Sequence, residues 1–350
     1  MRNILTINLH SDFLATAVRR FKDSGDCSTL RQYRERFHAG SVNAAFCAVG
    51  GDTSPSFPSG YRETLESFRL GARLVEACGE LSFRFVQSAK DIDRARDSGS
   101  LTLVLGLEGG SALEGRIERL ESLHQEGLRW LGLTWNVSNE LGDGCGETRN
   151  GGLTPFGEQV IETANRLGIV IDLAHASPAT FRDTAAVCDA PFIVSHSNAD
   201  SVCAHPRNLS DAQIEAVARS GGVVGINFFP RLLSASGPPV WEDIQRHVHY
   251  VADLVGSDHV ALGPDFIDVP GESILEELAR SGVDYGTQSE YPIGFSDVSC
   301  FSEVGRRLIE GGMTAEQVRK IMGENVLRVM CDVEKRAASG ESTKSLVRRS

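Results

Sequence analysis

The 350-residue sequence predicts an α/β protein built as one (β/α)8 barrel with a C-terminal helical extension, and three observations carry that expectation. Eight short runs rich in leucine or β-branched residues alternate with longer amphipathic stretches, the pattern of βα units around a parallel sheet. No glycine-rich phosphate-binding turn follows the first run, which favours a barrel over a doubly wound open sheet. Division of the length by about 150 residues suggests two domains, yet α/β barrels fill such a length as one unit.

The expected strands cover 3–9, 41–49, 101–107, 128–133, 168–173, 191–195, 222–227 and 259–263. Helical periodicity fills 61–78, 112–126, 154–167, 178–188, 210–220 and 241–255 between them, and Ser210-Asp211 reads as the N-cap of its helix. A further helix is expected over 314–332, opened by Thr314 with Glu316 and Gln317 in its first turn. Residues 1–335 then form one domain and 336–350 a polar tail. Segments 134–153 and 264–298 lack periodicity, and loops of that length in a barrel shape a binding site.

Composition narrows the function. An apolar fraction of 41% supports a large core, and 35 basic against 47 acidic residues give a net charge of −12. Such a surface repels phosphate backbones and anionic lipid, so the expected partner is a small molecule, with no nucleic acid and no membrane. The N-terminal residues enter an alternating apolar segment without a signal-peptide hydrophobic region, and no apolar run reaches the roughly 18 residues of a membrane span. Eight scattered cysteines form no Cys-x-x-Cys pair, so neither a disulfide nor a thiolate zinc site is expected, and the protein reads as cytoplasmic.

Barrel active sites gather at the C-terminal ends of the strands, and polar residues concentrate there. Strand one ends His10-Ser11-Asp12, and residues two apart on an extended segment share a side. Strand three ends in Glu108, strand five in Asp172-Leu-Ala-His175, strand six in Ser195-His196-Ser197 and strand eight in Gly263-Pro264-Asp265. Taken singly, a strand-end histidine is more commonly a hydrogen-bonded structural residue, and a strand-end aspartate more commonly a helix N-cap. Together, His10, Asp12, Glu108, His175 and His196 are the ligand types that zinc prefers. Five donors exceed the roughly three that one catalytic zinc takes from protein, so two Zn2+ ions are expected. Glu108 is the bridging candidate, because none of Lys22, Lys90, Lys320, Lys335 and Lys344 stands at a strand end to serve as a carbamylated bridge.

The ordered set His10-Ser-Asp12, Gly106-Leu-Glu108-Gly, Leu133-Thr-Trp-Asn136, Asp172-Leu-Ala-His175, Ser195-His196-Ser, His205-Pro-Arg207-Asn208, Gly263-Pro-Asp265-Phe266 and Gly323-Glu-Asn-Val-Leu-Arg328 resembles the membrane dipeptidase (renal dipeptidase-like) family of binuclear zinc peptidases. The resemblance runs from residue 8 to about 331. It implies a TIM barrel of the metal-dependent hydrolase type, hydrolysis of dipeptides including those with a C-terminal D-residue, and a homodimer. It makes His10 and Asp12 ligands of one zinc, His175 and His196 ligands of the other, and Glu108 the bridge. It gives Arg207 to the substrate and Asp265 to the proton. Trp135 stands where mammalian members carry histidine, which leaves Asn136 to take part of that polar role. Phe13-Leu14 and Ile267-Asp268 depart from the family pattern in loops that border the substrate rather than the ions.

The chemistry expected from these residues is attack of a metal-bridging hydroxide on the scissile carbonyl. Asn136 contributes to the oxyanion, Asp265 accepts the proton and returns it to the leaving amine, and Arg207 forks the free carboxylate of a dipeptide. Two other readings fit the same ligands: a binuclear-zinc amidohydrolase acting on another small amide or a lactone, and a barrel that binds metal or peptide without turnover. The last predicts loss of Asp265 or Glu108, and both are present.

Overall fold

The structure, a computed structural model, describes residues 4–52, 60–266, 283 and 291–340. The expected strands form, with shifted ends, as β1 (Ile7–Ser11), β2 (Ala44–Gly51), β4 (Leu101–Glu108), β5 (Leu128–Gly132), β6 (Val170–Asp172), β7 (Val194–Ser197), β8 (Val224–Ile226) and β9 (Val260–Leu262). A short strand that the sequence did not signal, β3 (Phe83–Phe85), pairs with the start of β4. Three residues are too few for a period-two pattern to stand out.

All strand pairings are parallel, in the order β1-β2-β4-β5-β6 and β7-β8-β9. Main-chain bonds from Leu173 N–H to Ile193 O and from Ile193 N–H to Ile171 O, both 2.9 Å, join the two runs into one (β/α)8 barrel. Alternation along the strands divides the core. Phe46, Val104, Trp130 and Val170 belong to one cluster, while Ala45, Cys47, Leu103, Leu105 and Leu107 pack in another with helix residues such as Phe68, Val160 and Val248. Gly106 admits Trp130, since a β-carbon there would lie 2.1 Å from the indole ring. The indole Nε1 donates to Val104 O at 3.1 Å.

The helices lie between strands as expected, and further ones precede or interleave them, among them α1 (Phe13–Ser24), α2 (Ser28–Ala39) and, after α3 (Tyr61–Ala77), α4 (Ala89–Ser98). The helix expected over 314–332 is interrupted. Ala315–Arg319 gives way to a wide turn, Lys320–Glu324, and a new helix, Asn325–Ser339, continues past the boundary drawn at 335. Gly323 breaks the periodicity because a β-carbon there would sit 2.6 Å from Leu5 O. The final helix places Val326, Val329, Met330 and Val333 in the same cluster as Leu5 and Ile7. Residues 341–350 of the expected tail and most of the expected loop 264–298 lie outside the described residues.

One expectation is corrected. Cys27 and Cys78 form a disulfide, with Cα atoms 6.7 Å apart, although they are 51 residues apart in sequence. They meet because α2 begins beside the end of α3, which no spacing pattern reveals. Disulfides persist in oxidising compartments, so the cysteines no longer support the cytoplasmic expectation. Among the described residues, no helix is long and apolar enough to cross a membrane.

Candidate metal centre

Parallel strands in register bring their carboxyl ends level: Glu108 pairs with both Gly51 and Gly132, and Gly132 with Asp172. The register slips between Asn8 and Ser11 in β1 and between Val194 and Ser197 in β7. These irregularities span His10 and His196, and such slips re-aim side chains at barrel rims.

His10, Glu108 and His196 offer donor atoms within 4.8 Å of one another, and so do His10, Asp12 and Asp265. Glu108 Oε1 lies 2.9 Å from His175 Nε2, 3.3 Å from His196 Nε2 and 3.5 Å from His10 Nε2. On the other side, His10 Nε2 is 3.6 Å from Asp12 Oδ1 and 3.7 Å from Asp265 Oδ1. The three histidines are thus gathered around Glu108, and Asp12 and Asp265 stand on the other side of His10. Asp12 occupies the N-cap position of α1 yet makes no capping hydrogen bond, so its carboxylate is turned to the site rather than to the helix.

Each of the two later histidines is oriented from behind. Ser195 Oγ donates to Asp172 Oδ2 at 2.5 Å and lies 2.7 Å from His196 Nδ1. A hydroxyl has one proton, so Nδ1 of His196 carries its own and Nε2 is left bare. Asn136 Oδ1 lies 2.8 Å from His175 Nδ1 and 3.3 Å from Cys145 Sγ, which bares Nε2 of His175 in the same way. The Asn136 oxygen is therefore engaged by His175, which leaves the expected oxyanion contact to the amide Nδ2, and Asn136 is fully buried.

The electrostatics favour a cation. Burial first, then the charges of Arg207 and His10, hold His175 well below the ordinary imidazole value, and burial with His10, His175 and Arg207 does the same to His196. Both stay neutral, as metal ligation requires. Burial pushes His10 down too, but Glu108, Asp12 and Asp265 outweigh it and raise its pKa to about 10. Burial raises Glu108 well above the carboxylate range and Asp265 to about 6. Among the described residues, neither ring nitrogen of the buried His10 has a hydrogen-bond partner, and the two bare Nε2 atoms of His175 and His196 face each other at 2.8 Å. Lone pairs so close, beside three carboxylates, fit a divalent ion and fit poorly with protons alone.

Arg207 is buried, its Nη2 3.1 Å from His175 Nε2 and 3.2 Å from His196 O. Trp135 is half-buried, with its ring 5.9 Å from that of His175. Sequence reasoning passed over Asp52, at the end of β2. It accepts from the main-chain N–H groups of Ser111 and Trp135, at 2.9 and 3.3 Å, and from Asn139 Nδ2 at 2.6 Å. Gly109, at φ 110°, makes room for it, since a β-carbon there would meet the Asp52 carboxyl at 2.3 Å. The rule that barrel chemistry sits at strand ends would have found Asp52, had it been applied to the second strand.

A family model described as membrane dipeptidase, peptidase family M19, matches residues 1–280 and 281–344. An amidohydrolase from Pseudomonas aeruginosa is similar at 26% identity and a TM-score of 0.83, over 95% of this chain and 97% of that one. A metallo peptidase from Rhodobacter sphaeroides, solved with a phosphinate mimic of the dipeptide L-Ala-D-Ala, is similar at 24% identity and a TM-score of 0.77, over 94% and 99%. With the donor set, the barrel and the match along nearly the whole sequence in agreement, the chain belongs to the membrane dipeptidase family, peptidase family M19, and is a metallopeptidase that hydrolyses peptide bonds.

Proposed function

We propose that this chain is a two-zinc dipeptidase that accepts either an L- or a D-residue at the C-terminal position. The observation that carries this reading is the convergence of His10, Asp12, Glu108, His175, His196 and Asp265 in one buried pocket at the carboxyl end of the barrel. His10 and Asp12 would hold one ion, His175 and His196 the other, with Glu108 between them. The chemistry such ions supply when bound is polarisation of a carbonyl and a water pKa lowered towards neutrality.

The chain's own residues do the rest. Asp265, with its pKa raised to about 6, can take a proton from the attacking water and give it to the leaving amine near neutral pH. Arg207 presents a planar fork matched to the free carboxylate of a dipeptide. A grip on the carboxylate rather than on the last side chain tolerates either stereochemistry, and the mimic bound by the Rhodobacter sphaeroides relative is of an L,D-dipeptide. Trp135 walls the pocket, and Asn136 and Ser195 aim His175 and His196.

The test joins elemental analysis with hydrolysis of paired L,L- and L,D-dipeptides and their C-terminal amides. Close to two ions per chain and preference for the free acids are expected. At most one ion under zinc-replete conditions would overturn the binuclear reading, and equal rates on acids and amides would overturn the dipeptide specificity.

A further inference from the structure

Asn227 follows β8, a strand end at which the sequence suggested no functional residue. It is fully buried and clasped to Asn198, the residue after β7. Its N–H donates to Asn198 Oδ1 at 3.1 Å, and Asn198 Nδ2 donates back to its carbonyl at 3.0 Å. The side chain is fixed as firmly, because Asn227 Oδ1 accepts from the Phe229 N–H at 2.5 Å. Shape alone does not tell the two ends of an amide apart, but a main-chain N–H can only donate. Oδ1 is therefore held on the Phe229 side, and Nδ2 faces Asp265, 3.3 Å from Oδ2. The other carboxylate oxygen, Oδ1, lies 3.7 Å from His10 Nε2. Asp265 has φ 60°, a conformation few non-glycine residues adopt, and Tyr291 Oη donates to its carbonyl at 3.0 Å.

We propose that Asn227 is a positioning residue, whose amide N–H holds Oδ2 of Asp265 so that Oδ1 is the oxygen presented to the reaction. This rests on the reading of Asp265 as the proton carrier. A carboxylate free to rotate would offer either oxygen and spend time in unproductive orientations. One held by a donor that is itself fixed by Asn198 after β7 and by the Phe229 N–H of its own loop offers a single oxygen.

Asn227→Asp keeps the size and the acceptor for the Phe229 N–H but removes the donor, whereas Asn227→Ala removes both. Both are assayed as zinc-loaded full chains, on whichever of L-Ala-L-Ala and L-Ala-D-Ala the parent cleaves faster. In each, kcat should fall about ten- to a hundredfold, the worth of a hydrogen bond to a charged group, with KM within about threefold. Bound metal per chain should stay at the parental value. Parental turnover in Asn227→Asp would overturn the proposal, because support of the Phe229 loop would then be all that Asn227 supplies. So would metal loss that accounts for the whole fall. Repeated in an Asp265→Asn background, the effect of Asn227→Asp should shrink to within about twofold, and an undiminished fall there would overturn the proposal. Parental turnover by Asp265→Asn itself would remove the proton role and the proposal with it. An impaired Asp265→Asn beside a fully active Asn227→Asp would remove only the part given to Asn227.

Discussion

The two ends of the barrel are built on opposite principles. At the carboxyl end, three carboxylates, three histidines and an arginine are packed into a pocket where His10 has no exposed surface and Glu108 only 5%. Strand register slips at His10 and His196, and Asp265 takes a positive φ. At the amino end, the helix Asn325–Ser339 presses Val329, Met330 and Val333 against Leu5 and Ile7. Its polar contacts there are ordinary. Asn325 Nδ2 donates to Ser257 O and Val260 O at 2.7 and 2.8 Å, and Arg328 donates to Gly221 O and Asp258 O at 2.6 and 2.7 Å. Buried like charges destabilise a fold while well-packed apolar surface stabilises it, so the amino end offsets what the carboxyl end costs. The later family motif, Gly323 to Arg328, thus serves as the floor of the barrel and stands apart from the chemistry.

The sharpest way to break that contrast is at its centre. Glu108→Gln removes the charge between the two proposed ions, so both should weaken together and activity should fall with them; elemental analysis of the variant beside the parent checks this. Loss of a single ion would show that the two halves of the site are independent. Asp265→Asn comes next: kcat should drop by about two to four orders of magnitude on a dipeptide. Metal retained at the parental level would separate its proton role from its place in the donor group.

The amino end should respond in the opposite currency. Met330→Ala should lower unfolding free energy by about 2–5 kcal/mol in denaturant titrations while kcat/KM stays within about twofold. A comparable loss of activity would deny the division of labour. His247, on the helix Trp241–Val255, packs behind the carboxyl ends of β7 and β8: its Nδ1 accepts from the Ala199 N–H at 3.2 Å and its Nε2 faces Leu233 O at 3.3 Å. Burial lowers its pKa to about 4. The unfolded chain therefore takes up the proton first as pH falls, so the stability this histidine contributes is complete above about pH 6.5 and declines towards pH 4, by about 3 kcal/mol in all. Stability measured against pH should fall less steeply in that window for His247→Gln than for the parent. The smallest effect is expected at Arg207, where Ala should reduce kcat/KM on a free dipeptide about ten- to a hundredfold but scarcely change an already poor rate on the amide. Equal losses on both substrates would make Arg207 a support for its loop.

Much of this was legible in the residues. His10, Asp12, Glu108, His175, His196 and Asp265 stand at strand ends, and parallel strands of a barrel level their ends, so a one-dimensional rule finds a three-dimensional cluster. The rule brings Asn136 to the site without saying which hydrogen bonds its amide makes, such as that of its oxygen with His175. It was not applied to Asp52 and Asn227, whose roles lie in holding other residues. Helices α1 and α2 were missed through their many charged residues, and β3 through its brevity.

What the sequence determined by itself was the alternation of strand and helix and the set of candidate donors, since both follow from period and from position along each strand. Only the tertiary structure decided the Cys27–Cys78 disulfide, the turn at Gly323 and the hydrogen bond from Asn227 to Asp265. Each depends on an approach between segments distant in sequence, set by how helices and strands pack, and no local pattern encodes a distance between elements.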